Sequence, residues 1–445
     1  ICHVTGTVAC RSLHRAGGIA GYSTSGSFSN CRASVAIQGD ISLEYVGGFC
    51  GTNSGGTITG CYATGTLTSG GNMAYSGGFC GWTSGSISNC YASGTMLANG
   101  SSSYCGGFCG QTPGIISRCY TVATVAADGR TDNLGGFCGW LGSGAVNESY
   151  FYFLGGPDNG SGIPLNADQL QAAAAFTGFD FAGSAADGTE ETWTITAGHC
   201  PRLSWQQDAG PLPPTAPETM LAGSGTANDP FVIAGREDFA EFCANPRLTG
   251  GYYSLARDID LAGETYSAAP AKHEFGGVFE GNGHVVRNLT IDTGGAAASY
   301  LGLFGRVCGT VRNLGVEDVQ ITSGPSSYYV GGLCGSNSGI IEACHATGAI
   351  MVGDRASSLG GLLGHSKGSV ANSYACVSVA SGNESISLGG LCGDAKGSIE
   401  NCYATGSISC GDYPTTIGGL CGGGSHLSIT RSEEHTSELQ SPNTN

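Results

Sequence analysis

Charge is scarce in this chain. Of 445 residues 11% are charged, and 17 Lys plus Arg face 34 Asp plus Glu, for a net charge of −17. No basic run occurs, so neither nucleic acid nor an anionic membrane is expected as a partner. Long apolar runs are also missing. No stretch approaches the roughly 18 unbroken apolar residues of a membrane-crossing helix. A Gly-X-Y period is absent despite 79 glycines, which excludes collagen, and a hydrophobic content of 40% argues against simple disorder. No secretory leader is visible, and the chain starts at Ile1 rather than Met, which reads as a truncated start.

Catalytic signatures are missing too. There is no HExxH, no GxxxxGK[ST], and no pair of CxxC elements with zinc spacing, so no metal, cofactor or catalytic residue is expected. TAGHC at Thr196–Cys200 looks like the histidine motif of a serine protease, but no GDSGG-like nucleophile segment accompanies it, and a structural role is expected. Gly281-Asn282-Gly283 reads as a turn rather than a nucleotide loop. The acids Asp40, Glu44, Asp128, Asp132, Asp354, Glu384 and Asp412 are scattered among corner loops. A calcium site along that edge is the alternative, and neither an EF-hand nor a repeat-in-toxin spacing supports it.

What the chain has is repetition. Gly-Gly pairs begin at Gly17, Gly47, Gly77, Gly106 and Gly135. A second array starts near Leu301 and continues at Gly331, Gly360, Gly389 and Gly418, with a pitch of 29 or 30 residues throughout. Residues 77–94, GGFCGWTSGSISNCYASG, show one unit. Small and apolar side chains alternate at Cys61, Ala63, Gly65 and Leu67, and again at Cys402, Ala404, Gly406 and Ile408, as in a strand with one face inward. Such a unit buries no core alone, so stacking is required. The expected fold is all-β: a parallel, right-handed β-helix of about 29–30-residue rungs, in two modules with short capping helices. Phe49, Phe79, Phe108 and Phe137 should form one ladder, and Leu333, Leu362, Leu391 and Leu420 its counterpart. Asn30, Asn89, Asn147, Asn313, Asn372 and Asn401 should share a bend, their amides satisfying backbone groups.

The pattern G-G-[FL]-x-G…[IV]-x-N-C-Y-A-T-G resembles the GLUG motif of bacterial surface proteins, over nearly all of residues 16–430. That resemblance implies an adhesin-like protein or an array flanking an IgA-specific metallopeptidase. It also implies that a helix near 166–176 and the following "W-T-I … P-R-L-x-W" close the first array. Asn166 with Gln169 reads as a capping box. The expected organisation is a first module at 1–205, a Pro-rich linker at 206–222 and a second module at 223–430. Residues 431–445 break in style, and their start back-translates to a short-read sequencing adapter. They are read as an artefact.

Two sets of residues are candidate sites. Within-unit disulfides would join Cys50 to Cys61, Cys80 to Cys90, Cys109 to Cys119, Cys334 to Cys344 and Cys392 to Cys402. Pairing across rungs and buried free thiols are the alternatives. Tyr62, Tyr91, Tyr120, Tyr374 and Tyr403 have opposite parity to the inward cysteines and would form an outward row, either a binding surface or a packed ladder. The function expected is an exported, non-catalytic adhesin or spacer at the bacterial surface, with a host or cell-surface glycan or protein as partner. A carbohydrate-active β-helix enzyme and a non-catalytic segment of a surface protease are the alternatives.

Overall fold

The computed structural model describes residues 2–127, 131–183, 190–214, 221–245 and 249–430, with the backbone alone for 433–440. The chain is a parallel β-solenoid of about 14 turns. It divides into two units, residues 1–218 with 246–250 and residues 219–245 with 251–445.

In the first unit each rung supplies strands to three sheets. One holds Ala20–Thr24, Cys50–Ser54, Cys80–Thr83, Cys109–Gln111 and Cys138–Trp140. The next holds Ser27–Ser29, Thr57–Thr59, Ser86–Ser88, Ile115–Ser117 and Ala145–Asn147. The third includes Tyr62–Ala63, Tyr91–Ala92, Tyr120–Thr121 and Tyr150–Tyr152. Pairing is parallel and one repeat apart: Cys80 lies opposite Cys50 and Cys109, Ile87 opposite Ile58 and Ile116, Tyr91 opposite Tyr62 and Tyr120. Like residues therefore meet like. The four ladder phenylalanines are fully buried and stack at 4.9, 4.8 and 5.0 Å between ring centroids. Those distances are the strand spacing itself, and each ring contributes roughly 1.5–3 kcal/mol of burial.

The Gly-Gly pair answers to close approach rather than to turning. A Cβ on Gly77 would lie 2.1 Å from the Cys80 carbonyl oxygen, and one on Gly78 would lie 2.2 Å from that of Gly107 in the next rung. The bend asparagines also have a different cause from the one expected. Asn30, Asn89, Asn313, Asn372 and Asn401 all have φ between 50° and 53°, the left-handed region that Asn tolerates best after Gly. Arg118, Glu148 and Ala343 hold the same corner with no amide. Asn147 is not at the bend, since it pairs with Ser117 and the corner falls on Glu148.

The expected helix over 166–176 is two 3-10 turns, Gln169–Gln171 and Ala173–Ala175, broken at extended Ala172. The capping box does form: the Asn166 N–H donates to Gln169 Oε1 at 2.9 Å, and the Gln169 N–H donates to Asn166 Oδ1 at 2.8 Å. Leu170 and Phe176 are both buried. Six residues apart, they would point to different sides of a regular helix, and the break lets both turn inward. In the second unit Arg236–Ala244 is a true helix, with Glu237 and Asp238 in its first turn and Phe239 and Phe242 buried.

The second unit repeats the coil. The sheet His345–Val352, Tyr374–Ser381 and Tyr403–Ser409 continues back to Gly315–Ser323, and the sheet Cys334–Asn337, Leu363–Ser366, Cys392–Ala395 packs beside it. Leucine replaces phenylalanine, with Leu303, Leu333, Leu362 and Leu391 fully buried. Residues 433–440 run parallel to Tyr403–Ser409.

Candidate functional site

Parity places the tyrosine row on the outer side of its strands in both units, and the two units then treat it differently. In the first, Tyr62 and Tyr91 stack at 4.8 Å and Tyr91 and Tyr120 at 5.2 Å, with exposures of 3%, 1% and 0%. They are outward yet buried because residues 193–208 lie over them. Trp193 tilts against Tyr91 and Tyr120, and Trp205 against Tyr62. Hydrogen bonds fix the cover. Trp205 Nε1 donates to the Gly60 carbonyl at 3.0 Å, Gln206 Nε2 donates to the Tyr91 hydroxyl at 2.8 Å, and the Tyr120 hydroxyl donates to the Pro201 carbonyl. Burial pushes the Tyr91 and Tyr120 phenols well above their ordinary range. Cys200 N bonds Pro211 O, so residues expected to begin the linker at 206 belong to this cover as far as Pro211. TAGHC lies in the same segment: His199 N closes a turn onto Thr196 O, and Cys200 is fully buried.

In the second unit the equivalent column is open. His345 and Tyr374 stack at 4.8 Å, as do Tyr374 and Tyr403, with 3° between planes in both pairs. Tyr403 is 40% exposed. The column stops at Gly315, where His345 leans across the space a side chain would need. Beside it lies a cleft of about 500 Å³, lined by Glu280, Asn282, Asn313, Gly315, Ala343 and His345 among others. A smaller cleft of about 310 Å³ in the first unit lies between Arg32, Tyr62, Ser34 and Asp208. There Arg32 donates to the Tyr62 hydroxyl at 3.1 Å.

Another aromatic column had a signal that went unread, the Tyr two residues before the Gly pair. Tyr45, Tyr75 and Tyr104 stack at 4.6 and 4.7 Å, half-buried, each at positive φ.

The cysteines do not meet as the within-unit pairs would require. All are free thiols, and like positions stand together: Cys50, Cys80, Cys109 and Cys138 in one column, Cys31, Cys61, Cys90 and Cys119 in another. Cys61 Sγ accepts from the Cys31 N–H and Cys90 Sγ from the Cys61 N–H. Cys334 and Cys344 are likewise buried and free, as are Cys392 and Cys402. Burial pushes the Cys105, Cys334 and Cys344 thiols up to about 12.

Three successive rungs also place Ser336, His365 and Asp394 in register. Ser336 Oγ is 3.4 Å from His365 Nδ1, and His365 Nε2 is 3.7 Å from Asp394 Oδ2. Burial lowers the pKa of His365. Backbone N–H groups on this face are committed to the ladder, for example Ser338 N to Val307 O and Lys367 N to Asn337 O, and an oxyanion site needs such donors free. Asp354, Glu384 and Asp412 are exposed at corners, Asp40 and Glu44 lie instead within the Arg32–Glu44 strand, and Asp128 and the side chain of Asp132 lie outside the described residues. No group of three or more His, Cys, Asp or Glu among the described residues is placed to hold a metal ion.

The model of the GLUG motif matches residues 42–68, 74–95, 326–351 and 384–409, two stretches in each unit. The chain carries GLUG repeats in both units. The GLUG chain is 30% identical over 148 residues to halomucin of Haloquadratum walsbyi, covering 31% of its own length and 2% of the relative's. It is 32% identical over 135 residues to a protein of Evansella cellulosilytica named a Gly-rich membrane protein, covering 28% of its own length and 15% of the relative's. The chain thus spans a small part of both relatives. A crystal structure titled as an immunoglobulin A1 protease from Bacteroides ovatus is similar at 18% identity and a TM-score of 0.34, over 50% of this chain and 82% of that one. No described helix of the GLUG protein is long and apolar enough to cross a membrane.

Proposed function

We propose that the chain is an exported, non-catalytic scaffold at a bacterial cell surface, acting as a spacer or adhesin toward a host or cell-surface glycan or protein. The observation that carries this is the parallel stacking of the second unit, one repeat per rung. Along the Ser357–Gly360, Ile386–Gly389 and Ile417–Gly418 strands Leu359 lies opposite Leu388, and Gly389 lies opposite Gly360 and Gly418. Such a coil lengthens by adding rungs and gains lateral surface as it does. The names of the two relatives, one a mucin and one a membrane protein, support a surface location.

The charged side chains also favour a scaffold over a carbohydrate-active enzyme. Glu280 holds Arg312 at 2.7 Å, and Asp258 holds Arg287 at 2.7 Å. These carboxylates are spent on ion pairs along the stack, whereas glycoside cleavage needs two facing a shared groove. The test is expression of the uninterrupted gene in its host with surface proteolysis of intact cells, followed by glycan and protein arrays. Protection of the chain in intact cells, or turnover of a polysaccharide, would overturn the proposal.

A further inference from the structure

The two aromatic columns are built alike and differ most in the presence of a cover, and the covered one shows what the open one is shaped to hold. In both units the rings stack face to face, so their faces are already used. Only edges and hydroxyls point outward. A sugar ring binds an aromatic face, and this column offers none along its length. In the first unit the edges are met by tilted indoles, and the hydroxyls by an amide and a carbonyl.

We propose that the column His345, Tyr374 and Tyr403 is a docking groove for a polypeptide segment of the chemistry of residues 193–206: two tryptophans flanking Pro-Arg-Leu, followed by Gln. The positions correspond rung by rung. Trp205 rests where the corner residue is Gly60 and the row residue Tyr62. In the second unit the small corner residue is Ala343, two residues before His345, and the roughly 500 Å³ cleft lies there. The next rung carries Tyr91 in one unit and Tyr374 in the other, and the rung after it Tyr120 and Tyr403. Tyr374 would then take the glutamine amide and Tyr403 the proline carbonyl.

One departure sets specificity. The first column ends in Arg32, whose guanidinium is 3.5 Å from Asp208. The second has Gly315 at that place, and the Glu280 carboxylate in the cleft wall is already paired with Arg312, so nothing there replaces the Arg32 cation. The segment that fits the second column therefore carries a neutral residue where residues 193–208 carry Asp208. This docking does not depend on where the protein resides, so failure of surface export leaves it standing.

The test titrates labelled peptides of residues 190–212, with Cys200→Ser, against the full chain. Saturable one-to-one binding is expected. It should tighten several-fold with Asp208→Asn and weaken on the order of tenfold or more with Trp193→Ala and Trp205→Ala together. Ala343→Arg in the chain should abolish it. Arg118 already occupies that corner conformation in the first unit, so the variant keeps its fold, which circular dichroism verifies. Absence of saturation up to about 1 mM, binding indifferent to Ala343→Arg, or competition by a glycan but not by unlabelled peptide would overturn the proposal.

Discussion

Gln206 Nε2 donates to the Tyr91 hydroxyl at 2.8 Å across 115 residues of sequence, and both side chains are buried. Gln206 Oε1 meanwhile accepts from the Leu203 N–H at 2.7 Å. The side chain thus links the turn of the closing segment to the middle of the tyrosine column. Gln206→Ala leaves both a hydroxyl and an N–H without partners in a dry place. It should cost about 1–3 kcal/mol, read as a lower midpoint for the first unit in calorimetry, with the second unit unchanged.

Trp193 is fully buried and stacks on Phe179 at 4.8 Å while tilting against Tyr91 and Tyr120. Trp193→Ala should destabilise the first unit by ~3–5 kcal/mol, the range for an aromatic deleted from a core. The closing segment should also become the first site of proteolysis. Cleavage beginning within the rungs while residues 190–211 stay intact would show that the cover is not held by this ring.

Alkaline pH offers an independent check. Folding raises the pKa of Tyr91 and Tyr120 by burying them, so the folded state holds protons that the unfolded state releases. Their contribution to stability is whole below the ordinary phenol pKa of about 10 and falls as pH rises toward the folded values. Phenolate absorbance should show a late step that coincides with loss of near-ultraviolet circular dichroism. In Trp193→Ala that step should move to lower pH.

Thiol chemistry distinguishes columns of free cysteines from bonded pairs. Exposed Cys2, Cys10 and Cys376 should alkylate in the native protein near about pH 8. Buried Cys50, Cys80, Cys90 and Cys109 should react only after denaturation, and without any reductant. Mass spectrometry reads both. Protection that survives denaturation and disappears with reductant would restore the disulfide alternative.

Much of the coil was legible because it is local and repeated. Pitch, inward parity at Cys61, Ala63 and Leu67, and the phenylalanine ladder all follow from residues one rung apart, where the parallel register makes like meet like. The fate of the tyrosine row was not legible. Parity says that Tyr120 leaves the coil. Whether Pro201 then covers it depends on a contact across 81 residues, between elements that share no period. The helix over 166–176 failed for a related reason: burial of both Leu170 and Phe176 outweighed the helical preference of the alanines between them. For the cysteines, spacing within a unit was visible, while stacking between units decides which thiols are neighbours.

The corner asparagines allow the backbone explanation to be separated from the amide one. Asn372 has φ of 51°, and its amide oxygen accepts from Asn401 Nδ2 at 3.2 Å in an exposed position. If the amide mattered, Asn372→Gly and Asn372→Ala would cost alike, since both delete it. If conformation matters, Gly should be tolerated and Ala should cost about 1–2 kcal/mol, the penalty for a left-handed residue with a Cβ. Asn372→Val should cost more, because a β-branched side chain is a stronger misfit at positive φ. The order Gly, Ala, Val in falling midpoint for the second unit is the expected result. Ala343 and Arg118 already support it, since both hold this corner without an amide while their N–H groups bond the neighbouring rung, Ala343 N to Ala371 O and Arg118 N to Asn147 O.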